Sequence, residues 1–422
     1  MQLSGSPKAC SSALRRRLRA AACLLLAAGA PSRANAADTT PGTQIDASAL
    51  LYGENQRTNV LEPEVRVTRL FSNGQSIAGQ FGFDMITGAS ATGGTPSATV
   101  QTTTSASGTV SQTQAGVIPT RMFRDNRASG DLDWTLPAGG SFTATTGFHL
   151  SSEKDYRSLG ANATFSLDVF HHLVTLTAGV GTNRDQVDPI GGTVFGLTPG
   201  TPLTNATEHK RVNTAMAGIT RVVTRRWLLG LSGTREFERG YLTEPYKVIS
   251  VLDNGGLPIG ELREKRPDLR TRYSVLGSSV YHLTSDVLYS SARYYWDDWG
   301  VRSGTMDLRF RHELQNQTYI QPHVRGYAQT SADFFRYFLG EEALLPNFAS
   351  SDNRIGPMRS VTVGATYGFQ LPNAPGEWGV RAEFMHQWGN GYPADAPGVQ
   401  HDFNQFPALN VGTLMVTYSL GL

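Results

Sequence analysis

The sequence runs to 422 residues, 39% hydrophobic and only 17% charged, with 45 glycines, 21 prolines and a formal net charge of +2. So few charges are unusual for a soluble globular protein, and the one long apolar run, residues 20–30, falls well short of the roughly 20 residues a membrane-spanning helix needs. Aromatic and β-branched residues recur along most of the length, which excludes a disordered chain; a large, glycine-rich, all-β protein remains.

The first 36 residues read as an export signal. Arg15, Arg16, Arg17 and Arg19 precede the apolar residues 20–30, and Ala34-Asn35-Ala36 supplies a small-x-small cleavage site. Cys23 lies inside the apolar run and not at its end, which argues against a lipidated cysteine. Those four arginines, Lys8 and Arg33 leave with the segment, as do both cysteines, Cys10 and Cys23, while no acid does. The six positive charges lost turn +2 into −4. Residues 37–422 are therefore expected to bind no nucleic acid and to form no disulfide.

From there, apolar residues alternate with small or polar ones over segments bounded by turn signals, the pattern of a transmembrane β-barrel. Near the C-terminus, Leu414, Val416, Tyr418 and Leu420 share one face against Thr413, Met415, Thr417 and Ser419. The alternation predicts sixteen strands: 44–53, 60–71, 75–87, 127–136, 140–152, 156–169, 172–182 and 209–223, then 226–239, 267–282, 286–297, 301–314, 318–331, 357–371, 377–389 and 408–422. Residues 246–252 are expected in a hairpin within a loop.

The connections test this pattern independently. Counted from a periplasmic N-terminus, every second one is short, as at Ser72-Asn73-Gly74, Thr224-Arg225 and Thr284-Ser285. Long segments near 88–126, 183–208, 240–266, 332–356 and 390–407 fall on the external side, the known asymmetry of outer-membrane barrels. In hydrocarbon each unpaired N–H or C=O costs several kcal/mol, so the sheet has to close. The expected fold class is all-β: a single transmembrane antiparallel β-barrel of about 16 strands over residues 37–422. Phe71, Trp134, Trp227, Trp296, Tyr319, Trp378 and Trp388 sit where interfacial girdles belong. Residues 88–126, rich in Thr, Ser, Ala and Gly, read as a solvated external loop. Folding of part of it into the barrel is left open.

Charges alternate with lipid-facing residues. Arg66, Asp131, Asp133, Arg270, Arg272, Arg293, Asp307, Arg309, Arg311, Arg325, Arg381 and Glu383 are assigned to the lumen, each beside apolar neighbours such as Leu132 or Leu308. An Arg or Lys on the lipid face costs roughly 2–4 kcal/mol at the midplane, so inward placement is cheaper. These residues predict a salt-bridge network that stiffens the lumen, or a mixed-charge pore with a lean towards anions. The nine histidines lack ligand spacing, and no residue is marked as a nucleophile with its base, so neither a metal or cofactor site nor an enzyme is expected.

Three pieces carry a family resemblance: Phe83-Asp84-Met85-Ile86-Thr87-Gly88-Ala89-Ser90, Ser152-Glu153-Lys154-Asp155-Tyr156, and Arg293-Tyr294-Tyr295-Trp296-Asp297-Asp298-Trp299-Gly300. The chain resembles a proteobacterial family of uncharacterised outer-membrane β-barrels, classed as a domain of unknown function. That resemblance implies the outer membrane of a Gram-negative bacterium, reached through the periplasm, and supplies no catalytic residues. The last strand, ending Tyr418-Ser419-Leu420-Gly421-Leu422, resembles the signal read by the barrel-assembly machinery, although Leu422 replaces the frequent terminal aromatic. All three family pieces fall at the external end of ascending strands. Asp84, Glu153, Asp155, Tyr156, Tyr295, Asp297, Asp298 and Trp299 are therefore expected around the external mouth, tying loops together or forming an acidic vestibule for a cation. The expected function is a porin-like channel or transport barrel for small solutes, since sixteen strands enclose more space than side chains fill. The alternatives are a non-conducting barrel that binds a periplasmic or lipoprotein partner in an envelope complex and, third, an outer-membrane hydrolase.

Overall fold

Sixteen strands whose side chains alternate between two faces close into one antiparallel barrel. In the computed structural model, residues 41–422 are described except 56, 105–109, 194, 200–205 and 373; the expected export signal and both cysteines lie outside the described residues. The strands are β1 (Gly42–Glu54), β2 (Thr58–Leu70), β3 (Ser76–Ala91), β4 (Thr120–Ala138), β5 (Phe142–Ser152), β6 (Tyr156–Val169), β7 (Val174–Val187) and β8 (Glu208–Thr224). They continue as β9 (Trp227–Gly240), β10 (Leu269–His282), β11 (Val287–Asp297), β12 (Arg302–Glu313), β13 (Tyr319–Gln329), β14 (Met358–Gln370), β15 (Glu377–Gly389) and β16 (Leu409–Gly421). Each pairs with its neighbour in sequence, and β1 closes the seam on β16, with Ile45 opposite Leu420 and Leu51 opposite Leu414. Thr43 and Leu422 exchange both backbone hydrogen bonds, at 2.8 and 2.7 Å. No helix among the described residues is long and apolar enough to cross a membrane.

The strand set is the expected one, with one systematic difference: several strands are longer at the end with long connections. β3 runs to Ala91 and β4 starts at Thr120, so the loop between them shrinks to 92–119. The outward face is apolar, with Phe81, Leu132, Leu150, Leu159, Leu231, Val324, Val363 and Phe384 all exposed, as on a face turned to hydrocarbon. Tyr319 departs from the girdle expectation. Its neighbour Ile320 takes the outward position, and the Tyr319 ring lies inside under the Arg311 guanidinium, 3.6 Å from its centroid.

At the long-loop end, four connections fold over the mouth. Pro258–Arg263, Val248–Leu252 and Leu339–Gly340 form a three-stranded sheet, so residues 246–252 do enter a loop hairpin. Lys265 and Ala349 bond each other at 2.9 and 3.0 Å, Val248 N–H reaches Thr92 O at 2.9 Å, and Val399 N–H reaches Gly255 O at 3.0 Å. The Gln400 amide donates to Pro96 O at 3.0 Å and Gly256 O at 2.8 Å. Ile249 packs with Leu339 and Ala349 in a small core with no exposed surface at Ile249 or Ala349. Gly94, Thr95, Pro96, Ser97, Ile118 and Pro119 are buried, so the loop after β3 is not solvated throughout, as its composition suggested, but in part a packed piece of this cap.

Candidate functional site: a capped chamber

Under the cap lies a chamber of about 970 Å³. Its walls are lumen-facing side chains such as Ser48, Gln80, Arg309, Arg381 and Met415, and its roof comes from the cap, including Gly93, Lys247 and Asp352. Sixteen strands leave room for an aqueous interior, and period-two alternation turns the polar residue of each pair into it.

One row of charge crosses four strands. Arg309, His323, Gly364 and Glu383 are successive register partners on β12, β13, β14 and β15. His323 Nε2 lies 2.9 Å from Asp307 Oδ2 and its Nδ1 lies 2.8 Å from Glu383 Oε1. Arg325 binds Asp307 through Nε at 2.8 Å and Nη2 at 2.6 Å. Gly364 permits the bridge, since a Cβ there would stand 2.4 Å from Ala382 O and 2.6 Å from Glu383 Cγ. Both His323 nitrogens are engaged by carboxylates, so neither faces a hydroxyl nucleophile.

A second arrangement spans β9 to β11. Arg272 bridges Glu236 at 2.9 Å and Glu238 at 2.6 Å. Arg270 donates through Nε to Asp297 Oδ2 at 2.9 Å and stands 4.1 Å from the Trp299 ring centroid. Tyr295 donates to the same carboxylate at 2.6 Å, and Trp299 Nε1–H donates to Leu269 O at 2.9 Å. Charges this far from water persist where partners surround them, and each of these carboxylates has at least one.

The cap carries its own ion cluster. Arg266 reaches Asp352 at 2.7 Å and donates through Nη2 to Glu264 Oε2 at 3.1 Å, while Arg354 reaches Asp352 at 2.5 Å and Glu244 at 3.2 Å. Glu264, with no exposed surface, accepts from Ser350 Oγ at 2.5 Å and Glu244 N–H at 2.8 Å. Burial pushes the Glu264 carboxyl up against the pull of Arg266. Burial also lifts Asp352, but Arg354, Lys247 and Arg266 outweigh it and hold that carboxyl well below the usual range. Burial pushes the Lys247 ammonium down, opposed by Asp352.

A family model described as "Protein of unknown function (DUF3570)" matches residues 15–420. The chain belongs to this family. No curated protein matches the chain. Among solved structures, this DUF3570 protein is similar to Pseudomonas aeruginosa OccK3 (OpdO), at 11% identity over 91% of this chain and 96% of that one, with a TM-score of 0.39. It is similar also to P. aeruginosa OccK2 (OpdF) in complex with glucuronate, at 10% identity over 91% and 98%, TM-score 0.40. A third similar structure, described as a bacterial polysaccharide outer membrane secretin, is 9% identical over 89% and 97%, TM-score 0.43.

In the DUF3570 chain the charges assigned to the lumen fall into separate groups. Arg66 pairs with Asp133 at 3.0 Å, Asp131 pairs with His149, and Arg311 pairs with Glu313 at 2.5 Å. Arg293 makes no ion pair among the described residues and lies 5.8 Å from the Tyr295 ring centroid. Asp307, Arg309, Arg325, Arg381 and Glu383 meet in the row around His323, a residue that the sequence pattern did not single out. Its inward parity with Arg325 was the available signal.

The expected mouth residues do not form one cluster. Tyr295, Asp297 and Trp299 gather around Arg270. Glu153 and Asp155 join Asp125, one carboxylate oxygen of each lying within 4.8 Å of the others, and Asp155 also accepts from Tyr246. Tyr156 donates to Asp185 at 2.5 Å, and Asp84 pairs with Arg127. Asp298 stays outside, exposed, where its two oxygens accept the Thr271 N–H at 2.9 Å.

Proposed function

We propose that this protein is an outer-membrane channel for small polar solutes, exported through the periplasm and resting in a capped state. The observation that carries the reading is the chamber: about 970 Å³ inside a sixteen-stranded wall, lined by ionised side chains and roofed by folded loops. An interior built only for stiffness has no use for such a space. The apolar outward belt supports the membrane setting, and the strand order supports insertion by the barrel-assembly machinery through the C-terminal strand.

The test is conductance of the purified full-length protein in planar bilayers, alone and with Asp352→Asn to loosen the cap. Stepwise openings, larger or more frequent in the variant, support the channel. A sealed membrane with both proteins refutes it. A non-conducting barrel that binds a periplasmic or lipoprotein partner is the second reading. It is favoured by the complete burial of Ile249, Glu264 and Gln400 in the cap, and co-purification of a partner with a sealed barrel would establish it.

A further inference from the structure

Three arginines converge on two carboxylates in the β12–β15 row, and two of the three have donors to spare. Arg309 spends its Nε on Asp307 Oδ1 at 3.1 Å. The nearest carboxylate oxygen to Arg381, Glu383 Oε1, lies 3.6 Å from its Nε and is already engaged by His323. Arg381 directs Nη2 at the Met415 sulfur at 3.0 Å, a weak acceptor. A guanidinium offers five donors in a fixed fork, so neither side chain is saturated within the wall. Both are near one-third exposed, at 32% and 28%, and both line the chamber. With Arg325 counted against Asp307 and Glu383, the row is net positive even with His323 neutral. Beside Arg381, Met415 and its register partner Leu50 present apolar surface to the same space.

We propose that Arg309 and Arg381 form an anion-binding site in the chamber wall. It takes the carboxylate or phosphate of a small organic solute, whose apolar part lies against Met415 and Leu50. Fork geometry suits either group, and charge-assisted pairs of this kind are the strong ones. Asp307 anchors Arg309, and Glu383, engaged by His323, stands beside Arg381. The passage of that solute rests on the channel reading above; its binding does not.

The experiment uses the full-length protein in two formats, with succinate and inorganic phosphate as separate probes. In bilayers under a KCl gradient, the wild type should favour chloride over potassium and be blocked by succinate or phosphate. In Arg309→Gln/Arg381→Gln the block should weaken about tenfold or more. Arg381→Lys, which keeps charge but loses the fork, should fall between them. Calorimetry on detergent-solubilised protein should show the same order of affinities, and retained heat-modifiable migration on gels certifies folded barrels. Stronger response to succinate than to phosphate assigns a carboxylate solute, and the reverse assigns a phosphate. Equal block and equal reversal potential in wild type and double variant overturn the site while leaving the channel intact. Absence of conductance with binding still lost in the double variant overturns the channel and keeps the site. No calorimetric binding of either probe by the wild type overturns the site outright.

Discussion

His323 reaches Glu383 across a whole intervening strand, with Nδ1 and Oε1 2.8 Å apart and Gly364 between them in register. The contact exists because that position has no side chain. Gly364→Ala should therefore be costly: its methyl group would meet Ala382 O at 2.4 Å and Glu383 Cγ at 2.6 Å. Overpacking of this kind costs about 1–3 kcal/mol. On β13, a Cβ on Gly326 would meet nothing within 4 Å, so Gly326→Ala is the control and should be close to neutral. The temperature at which each variant loses its compact gel band measures the difference.

Removing the bridge itself should cost more. His323→Leu leaves Asp307 and Glu383, both largely buried, without the ring that joins them. Breaking a buried ionic contact by deleting one partner costs about 3–5 kcal/mol. Denaturant-dependent unfolding from vesicles should show the loss. A change below 1 kcal/mol would mean that the row is solvated well enough to do without its histidine.

The outer face gives an independent check on sidedness. Val363 precedes Gly364 on β14 but points outward, 47% exposed. Val363→Arg should destabilise the barrel in lipid by about 2–4 kcal/mol, while Val363→Leu should be tolerated. Equal folding yields of the two variants in vesicles would contradict a hydrocarbon-facing Val363.

Cap and wall should separate in their response to damage. Ile249 is fully buried among loop residues, not strands of the barrel. Ile249→Ala is expected to cost the cap about 2–5 kcal/mol and the wall nothing. Limited trypsin treatment should then cut near Lys247, Arg263 and Arg266, while the barrel keeps its heat-modifiable migration.

Acid should release the cap late. The pKa of Glu264 is raised, so its contribution is complete below the unfolded value and fades as pH rises through the folded one. Asp352 has the opposite sign: its contribution is complete above 3.8 and disappears only as pH falls through the depressed folded value. Mild acidification therefore protonates Glu264 first and leaves the Asp352 pairs with Arg266 and Arg354 intact. Hydrogen exchange at the Lys265 and Ala349 amides, corrected for intrinsic pH effects, should stay slow under mild acid and accelerate only once the pH falls below the ordinary Asp value of 3.8.

The wall was readable from the sequence because a barrel strand obeys a local rule. Side chains two apart share a face, so Leu308 and Phe310 flanking Arg309 reveal both surfaces without knowledge of any partner. The cap obeys no such rule. Ser351 Oγ donates to Gly93 O from 258 residues away, and Gln400 to Pro96 O from 304, so a Thr- and Gly-rich segment that looks like open loop is packed by segments far along the chain. The mouth residues divide into separate groups for a related reason. Asp297 and Asp298 are adjacent, but one turns inward to Arg270 and the other outward to the Thr271 amide. Position along a strand predicts height in the wall and face, not which neighbour a carboxylate chooses.

The seam leaves the wall indifferent to its own starting point. Thr43 and Leu422 sit as close as residues in any interior ladder, so a short peptide tie from Leu422 to Thr43, in a chain relieved of the residues before Thr43, would make a ring. Opened afresh at the Gln315-Asn316-Gln317 turn, that ring would begin on β13 and end on β12, yet enclose the same chamber.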